Sequence, residues 1–112
     1  MPRGDFATDT DFRHAVEALL QALLDQVDAI DTDLIDPSLT PGTLTVRFED
    51  GAVFLLSQQT PTHELWLSAE RKAWHFVREG GRWIERDSAE ALATVLGGLL
   101  GQRLGARVEL RA

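Results

Sequence analysis

Residues 44–56 decide the fold, and they read Leu-Thr-Val-Arg-Phe-Glu-Asp-Gly-Ala-Val-Phe-Leu-Leu. From Leu44 to Phe48, apolar and polar side chains alternate, which is typical of a β-strand with one buried face. Asp50-Gly51 then separates this run from a second apolar run. Because Asp-Gly between two such runs is a strong short-range signal for a tight turn, the stretch predicts an antiparallel hairpin.

More strand-like runs follow the hairpin. Residues 65–67 and 74–77 are apolar runs bounded by polar and turn residues. Gly80-Gly81 then forms a turn into a last run at residues 82–85. Together with the hairpin, these runs predict five consecutive antiparallel strands.

A helix is predicted before the strands, from about residue 11 to residue 30. Its apolar residues recur at spacings of three and four, which is the period of a helix with one buried face. Thr10 or Asp9 can cap its N-terminus. Residues 1–8 are predicted to be an irregular start. A break in the chain is expected after the helix, at Pro37, Pro41 and Gly42.

A second helix is predicted after the strands, from Leu92 to about Leu104, where the helical period returns. Asp87 is a candidate N-cap with capping-box spacing, and Ser88 is the alternative. Gly105 is expected to end the helix. The remaining residues form a short tail, which we expect to extend along the body of the protein.

The order helix, strands, helix indicates an α+β protein. We predict a two-layer sandwich in which the N- and C-terminal helices pack on one face of a five- to six-stranded antiparallel sheet. A chain of 112 residues is too short for two separate cores, so we expect a single domain, 1–112. The other face of the sheet is then open to solvent, and the alternation of side chains places Trp66 on it.

Composition excludes several classes of protein. With 18 acidic and 11 basic residues the net charge is -7, which argues against a protein that tracks nucleic-acid phosphates. The chain has no cysteine and therefore no disulfide, thiolate nucleophile or Cys-ligated metal. No apolar run is long enough to cross a membrane, and the N-terminus lacks the layout of a signal peptide. We expect a cytoplasmic protein.

The excess negative charge lies in the first half, since residues 1–50 carry a net charge of -8 and residues 51–112 one of +1. Carboxylates three or four positions apart on a helix can share a hard cation. We name the following residues the acidic ridge and predict that they bind metal: Glu17, Asp25, Asp28, Asp31, Asp33 and Asp36. Further candidate ligands are His14, Glu49 and Asp50. The alternative is a solvated face that keeps the protein soluble, with His14 paired to Glu17.

Trp66 is the second candidate site. A large aromatic side chain on a solvent-facing sheet is the type of anchor that dominates the energy of protein interfaces. Gln59, Glu64 and His75 are expected to surround it as a polar rim. The alternative is that Trp66 lies under the C-terminal tail or faces inward.

These residues resemble the frataxin family in its short bacterial form. Residues 59–68, Gln-Thr-Pro-Thr-His-Glu-Leu-Trp-Leu-Ser, are similar to the family signature Gln-x-Pro-x-x-Gln-hydrophobic-Trp-Leu-Ala. Residues 44–51 are similar to the first-strand hairpin of the family, and residues 75–84 contain His-Phe, a Gly turn and Trp-Ile in the same order. The resemblance runs from about residue 12 to residue 110.

The sequence departs from the family signature at three positions. The family usually has Asn and then Lys or Arg where this chain has Ser57 and Gln58, and its second Gln is Glu64 here. These changes fall on the surface that the family presents to its partners. They bear on the details of partner contact more than on the fold.

The resemblance implies an iron-binding accessory protein of iron–sulfur cluster assembly. Such a protein acts on the complex of cysteine desulfurase and scaffold as iron donor, regulator or both. It also implies that Fe²⁺ or Fe³⁺ binds weakly at the ridge, where Asp25, Asp28 and Asp31 match the family's iron-binding acids best. We expect a monomer, with iron-dependent oligomers as the alternative.

Two other functions stay open. A small acidic adaptor or chaperone would bind a basic protein client without metal. A weak ferroxidase activity is implied by the resemblance only, because the Glu-x-x-His motif of di-iron proteins is absent from the sequence. The response of Asp25, Asp28 and Asp31 to iron distinguishes the first of these functions from an iron-binding protein.

Overall fold

Two helices and one six-stranded sheet make up the computed structural model, which describes residues 4–112. The predicted irregular start therefore lies partly outside the described residues, at positions 1–3. No helix in residues 4–112 is both long and apolar enough to cross a bilayer. The elements are α1 (Asp9–Asp28), β1 (Ile35–Thr40), β2 (Thr43–Phe48), β3 (Val53–Gln59), β4 (Glu64–Ala69), β5 (Lys72–Glu79), β6 (Arg82–Glu85) and α2 (Leu92–Leu104).

The sheet is an antiparallel meander in which each strand pairs with the next along the chain. All five predicted strands are present, and the α+β sandwich is confirmed. The sixth strand, β1, was not predicted individually because Pro37 was expected to break the chain. That expectation is wrong, since Pro37 lies in β1 opposite Val46. A proline is tolerated there because β1 is an edge strand, so its missing N–H removes no hydrogen bond to a further strand.

The core lies between the helices and the inner face of the sheet. Removing each large apolar side chain from water contributes about 1.5–3 kcal/mol to stability. Trp83 belongs to this core and Trp74 packs partly against it. The most deeply buried large side chains are Phe12, Leu20, Leu23, Leu44, Phe54, Leu56, Leu65, Leu67, Phe76, Leu92, Leu96 and Leu100.

Thr8 caps the N-terminus of α1. Its side-chain oxygen accepts a hydrogen bond from the N–H of Asp11 at 3.1 Å. The predicted caps, Thr10 and Asp9, are wrong because the helix begins at Asp9, about two residues earlier than expected. A Thr in this position satisfies one of the free N–H groups of the first turn.

The segment just before α1 is irregular, as predicted, but it is fastened to the sheet rather than frayed. The Asp5 carboxylate accepts hydrogen bonds from the N–H groups of Gly80 and Gly81 at 3.3 and 2.9 Å. Phe6 packs edge-on against Phe12, with ring centroids 5.7 Å apart. The N-terminal segment thus closes one end of the core.

Ala91, rather than Asp87 or Ser88, is the N-cap of α2, and no side chain caps this helix. The prediction was wrong because the N–H groups of Asp87 and Ser88 donate instead to the Glu85 carboxylate, at 2.8 and 3.0 Å. Glu85 thereby organises the turn between β6 and α2.

The C-terminal tail extends along the helices, as predicted. Gly105 ends α2 in the left-handed conformation, with φ of 67°. A Cβ atom built on Gly97 would lie 2.7 Å from the carbonyl oxygen of Val108. The Gln26 amide exchanges two hydrogen bonds with the backbone of Arg111, at 2.9 and 2.7 Å. The tail therefore contacts both helices.

Candidate functional site

The acidic ridge is exposed along α1 and the segment that leads into β1. All six of its carboxylate residues are exposed. In the part of the chain that the structure describes, no ridge carboxylate lies within 4.0 Å of a cationic group. Within residues 4–112 the ridge thus keeps its negative charge free of ion pairs.

The ridge is a row of separate carboxylates rather than a closed coordination site. Gln21 donates a hydrogen bond to Asp25 across one helical turn at 3.0 Å. Between residues 4 and 112, no three His, Asp or Glu side chains converge as metal ligands. Cation binding on such a surface is loose and sensitive to salt, because exposed charges are screened by solvent ions. Metal ligation by the ridge stays a prediction.

The three further candidate ligands differ in their surroundings. His14 and Glu49 are exposed. Asp50 accepts hydrogen bonds from the N–H of Ala52 at 3.0 Å and from Arg103 at 2.6 Å. The bond from Ala52, followed by that from Arg103, lowers the pKa of Asp50 below its ordinary value. A metal ion would have to displace the guanidinium to use this carboxylate.

Trp66 lies on the solvent-facing side of β4, as predicted. Its side chain is 39% exposed, whereas Leu65 and Leu67 on either side are buried in the core. The C-terminal tail lies on the helix layer, so it does not cover Trp66. The indole ring stacks on the imidazole of His75, with centroids 4.5 Å apart and planes inclined by 13°.

Two further apolar side chains share the outer face of the sheet with Trp66. Val53 and Leu55 of β3 are 42% and 41% exposed, and Ser57 of the same strand pairs directly with Trp66. Sequence reasoning missed both residues. The available signal was the unbroken apolar run over 52–56, which indicates a strand with apolar side chains on both faces.

The predicted polar rim around Trp66 is only partly exposed. Gln59 is half-buried and donates to Ser57 at 3.3 Å. Glu64 was expected at the surface, but it is 1% exposed. Glu64 is buried because Trp66 and Arg86 cover its carboxylate and donate hydrogen bonds to it at 3.2 and 3.3 Å.

The electrostatics of Glu64 follow from these contacts. Burial alone would raise the pKa of Glu64, because the charged form loses hydration. The hydrogen bonds from Trp66 and Thr62, together with the charges of Arg86 and His75, outweigh burial and lower the pKa below its ordinary value. Glu64 is therefore a buried carboxylate that stays ionised.

His63 fixes the segment just before Glu64. It is buried, and its Nε2 atom lies 2.7 Å from a carboxylate oxygen of Asp9 at the start of α1. Its ring stacks on Phe12 with centroids 4.7 Å apart. These contacts give His63 a structural role.

Known proteins share both the sequence pattern and the fold. The family model of the frataxin-like domain matches residues 5–106. The iron-sulfur cluster assembly protein CyaY of Neisseria meningitidis serogroup B is 31% identical over 103 residues, covering 92% of this chain and 95% of that protein. The protein of the same name from Tolumonas auensis is 29% identical over 102 residues, covering 91% and 97%.

The fold has a solved counterpart. Frataxin from Psychromonas ingrahamii superimposes with a TM-score of 0.85 at 22% identity, covering 94% of this chain and 99% of that one. The family model spans nearly all of the described residues, and the fold agrees with it. The chain belongs to the frataxin family.

Proposed function

We propose that this protein is an accessory protein of iron–sulfur cluster assembly that binds iron weakly at the acidic ridge. It docks on the complex of cysteine desulfurase and scaffold, as iron donor, regulator or both. The observation that carries the proposal is the combination of an acidic row that makes no ion pair within residues 4–112 and an exposed indole on the open face of the sheet. The names of the two curated relatives support the pathway.

The ridge supplies electrostatic attraction. Carboxylate oxygens suit iron as a hard cation, and the same charges attract a basic protein surface and speed its encounter. Asp25 and Asp28 lie three positions apart in the last turn of α1, where they share one face, and Asp31 follows in the segment after the helix. The ridge thus serves iron and a basic partner with one set of charges.

The sheet supplies the specific contact. Exposed Trp is enriched among the residues that dominate interface energies. The apolar side chains of Val53 and Leu55 extend the contact area next to Trp66. The stacked His75 and the half-buried Gln59 complete the partner-binding surface.

Asn substitutions at Asp28 and Asp31 test the ridge. The double variant is expected to weaken ferrous-ion binding and to weaken desulfurase–scaffold binding by about three- to tenfold, since rim charges act mainly on association. Its stability should rise by a few tenths of a kcal/mol, on the order of the repulsion between Asp28 and Asp25 on one face of α1. Anaerobic NMR titration, a binding assay with the complex and thermal unfolding measure the three effects.

The matched control is the double variant Glu79→Gln with Glu90→Gln. It removes the same charge from two exposed carboxylates outside the ridge. It should leave both binding affinities within about twofold of wild type, because screening limits the reach of surface charges. The ridge assignment is wrong if the ridge variant binds iron and the complex as the control does.

The separate placement of the ridge carboxylates favours a second candidate, an acidic adaptor that binds a basic client without metal. No three ligands converge in residues 4–112, and the same exposed charges attract a basic protein surface directly. Ferrous ion that perturbs the amide signals of Asp25, Asp28 and Asp31 supports the iron-binding function. Unchanged signals, together with retained binding to a basic client, support the adaptor.

A further inference from the structure

Glu64 is a buried charge on the face of the sheet that is open to solvent. It belongs to the same face as Trp66, yet only 1% of it is exposed. Glutamate is almost never this deeply buried unless it is paired, because removing the charge from water is costly. Here Oε1 accepts from the Trp66 indole N–H at 3.2 Å, and Oε2 accepts from Arg86 at 3.3 Å.

These contacts restrain the indole from two directions. The hydrogen bond to Glu64 fixes the nitrogen edge of the ring, and the stack on His75 fixes one ring face at a centroid distance of 4.5 Å. Because the indole N–H is already bonded, it is not free to donate to another molecule. The atoms of the Trp66 side chain that remain available to a partner are the carbon atoms of the ring.

We infer that Glu64, neutralised by Arg86, is a positioning residue that holds the indole of Trp66 ready for docking. The partner then contacts Trp66 through the carbon atoms of the ring and presents an apolar side chain to it. The inference rests on the proposed function in one respect, that the outer face of the sheet is a docking surface.

Holding the indole in place before a partner arrives favours binding. An anchor that is already fixed loses less conformational freedom when a partner binds, so more of the contact energy appears as affinity. The neighbouring apolar surface of Leu55 favours an apolar partner group over a polar one. The charge of Glu64 also holds Arg86 in place. A neutral Gln at this position would hold Arg86 less strongly, because hydrogen bonds between two charged groups are stronger than those to a neutral group.

Two substitutions of Glu64 separate positioning from simple packing. Glu64→Leu removes the acceptor at similar size, and Glu64→Gln keeps an acceptor without the charge. We expect Glu64→Leu to weaken binding to the desulfurase–scaffold complex by about tenfold and Glu64→Gln by less than about threefold. The control is Glu79→Gln, an exposed carboxylate outside the Trp66 cluster, which should leave the affinity unchanged.

The indole N–H resonance of Trp66, assigned with Trp66→Phe, is a readout of positioning without any partner. Glu64→Leu should shift it and speed its exchange with solvent, whereas Glu64→Gln should retain most of the wild-type shift. In the wild type the resonance should titrate with Glu64, at lower pH than exposed glutamates, which titrate near about pH 4.3. The other charged or ionisable groups that face this site are Arg86 and His75.

The outcomes distinguish the inference from the proposed function. Normal affinity in Glu64→Leu, with the indole N–H exchanging freely, overturns the positioning role. If Glu64→Leu does not fold, Glu64→Gln provides the test. An acid titration of the indole N–H resonance that persists in Glu64→Gln would assign that titration to a group other than Glu64 and would overturn the positioning role. A wild-type protein that fails to bind the complex contradicts the proposed function, while the indole resonance still tests positioning.

Discussion

Replacing Gly97 by alanine is expected to lower the free energy of unfolding by about 1–3 kcal/mol, the usual cost of forcing extra atoms into a packed site. A Cβ at this position would lie 2.7 Å from the carbonyl oxygen of Val108. This oxygen belongs to the backbone, so the tail as a whole has to move away from α2. The movement strains or breaks the contact that the tail makes with both helices.

Gly98 provides the matched control on the same helix. A Cβ built there has no neighbouring atom within 4 Å. Alanine is favoured over glycine inside a helix by about 1 kcal/mol, so Gly98→Ala is expected to raise stability by up to that amount. The same substitution at two adjacent positions should therefore change the free energy of unfolding in opposite directions.

Urea unfolding of the two variants measures the change in the free energy of unfolding. Deleting residues 106–112 in each variant adds a second check, because without the tail both alanines should be favourable. Stabilisation by Gly97→Ala in the full-length chain would show that the tail does not stay against α2 in solution.

Trp66→Ala is expected to weaken binding to the desulfurase–scaffold complex by about 2 kcal/mol or more, roughly thirtyfold in affinity. The loss follows from removing the largest exposed apolar side chain of the sheet face. Stability should fall by about 2 kcal/mol, since the change removes the hydrogen bond to the Glu64 carboxylate and the stack on His75 but no core contact.

Glu90→Ala is a suitable control for this variant. Glu90 is exposed and lies outside both the ridge and the sheet, between β6 and α2. Its affinity for the complex should match that of wild type. Titration calorimetry and thermal unfolding of both variants give the comparison. A large loss of stability in Trp66→Ala, with unchanged affinity at a temperature where the variant is folded, would show that Trp66 serves the fold and not the contact.

The sequence predicted the fold where one face of an element is buried in a regular way. The alternation from Leu44 to Phe48 and the three-and-four spacing in α1 directly reflect burial against one core. The edge strand β1 was missed because its Pro37 has the same local preferences in a strand as in a loop. Only the pairing with β2, a tertiary contact, distinguishes the two.

The candidate sites show a similar limit. Spacing alone predicted the exposed acids of α1 and the outward direction of Trp66. The pairing of Asp50 with Arg103 and the burial of Glu64 under Arg86 depend on partners 53 and 22 residues away along the chain. Such contacts leave no periodic pattern, because they arise only when distant elements pack together.

The two-layer arrangement has a consequence for assembly. The acids of α1 lie on the helix layer, and the stripe of Val53, Leu55 and Trp66 lies on the opposite layer. A molecule seated on one layer leaves the other uncovered, so a single copy can bridge two bodies in a ternary complex. Each contact then raises the effective concentration for the second, and two individually weak attachments give one long-lived assembly.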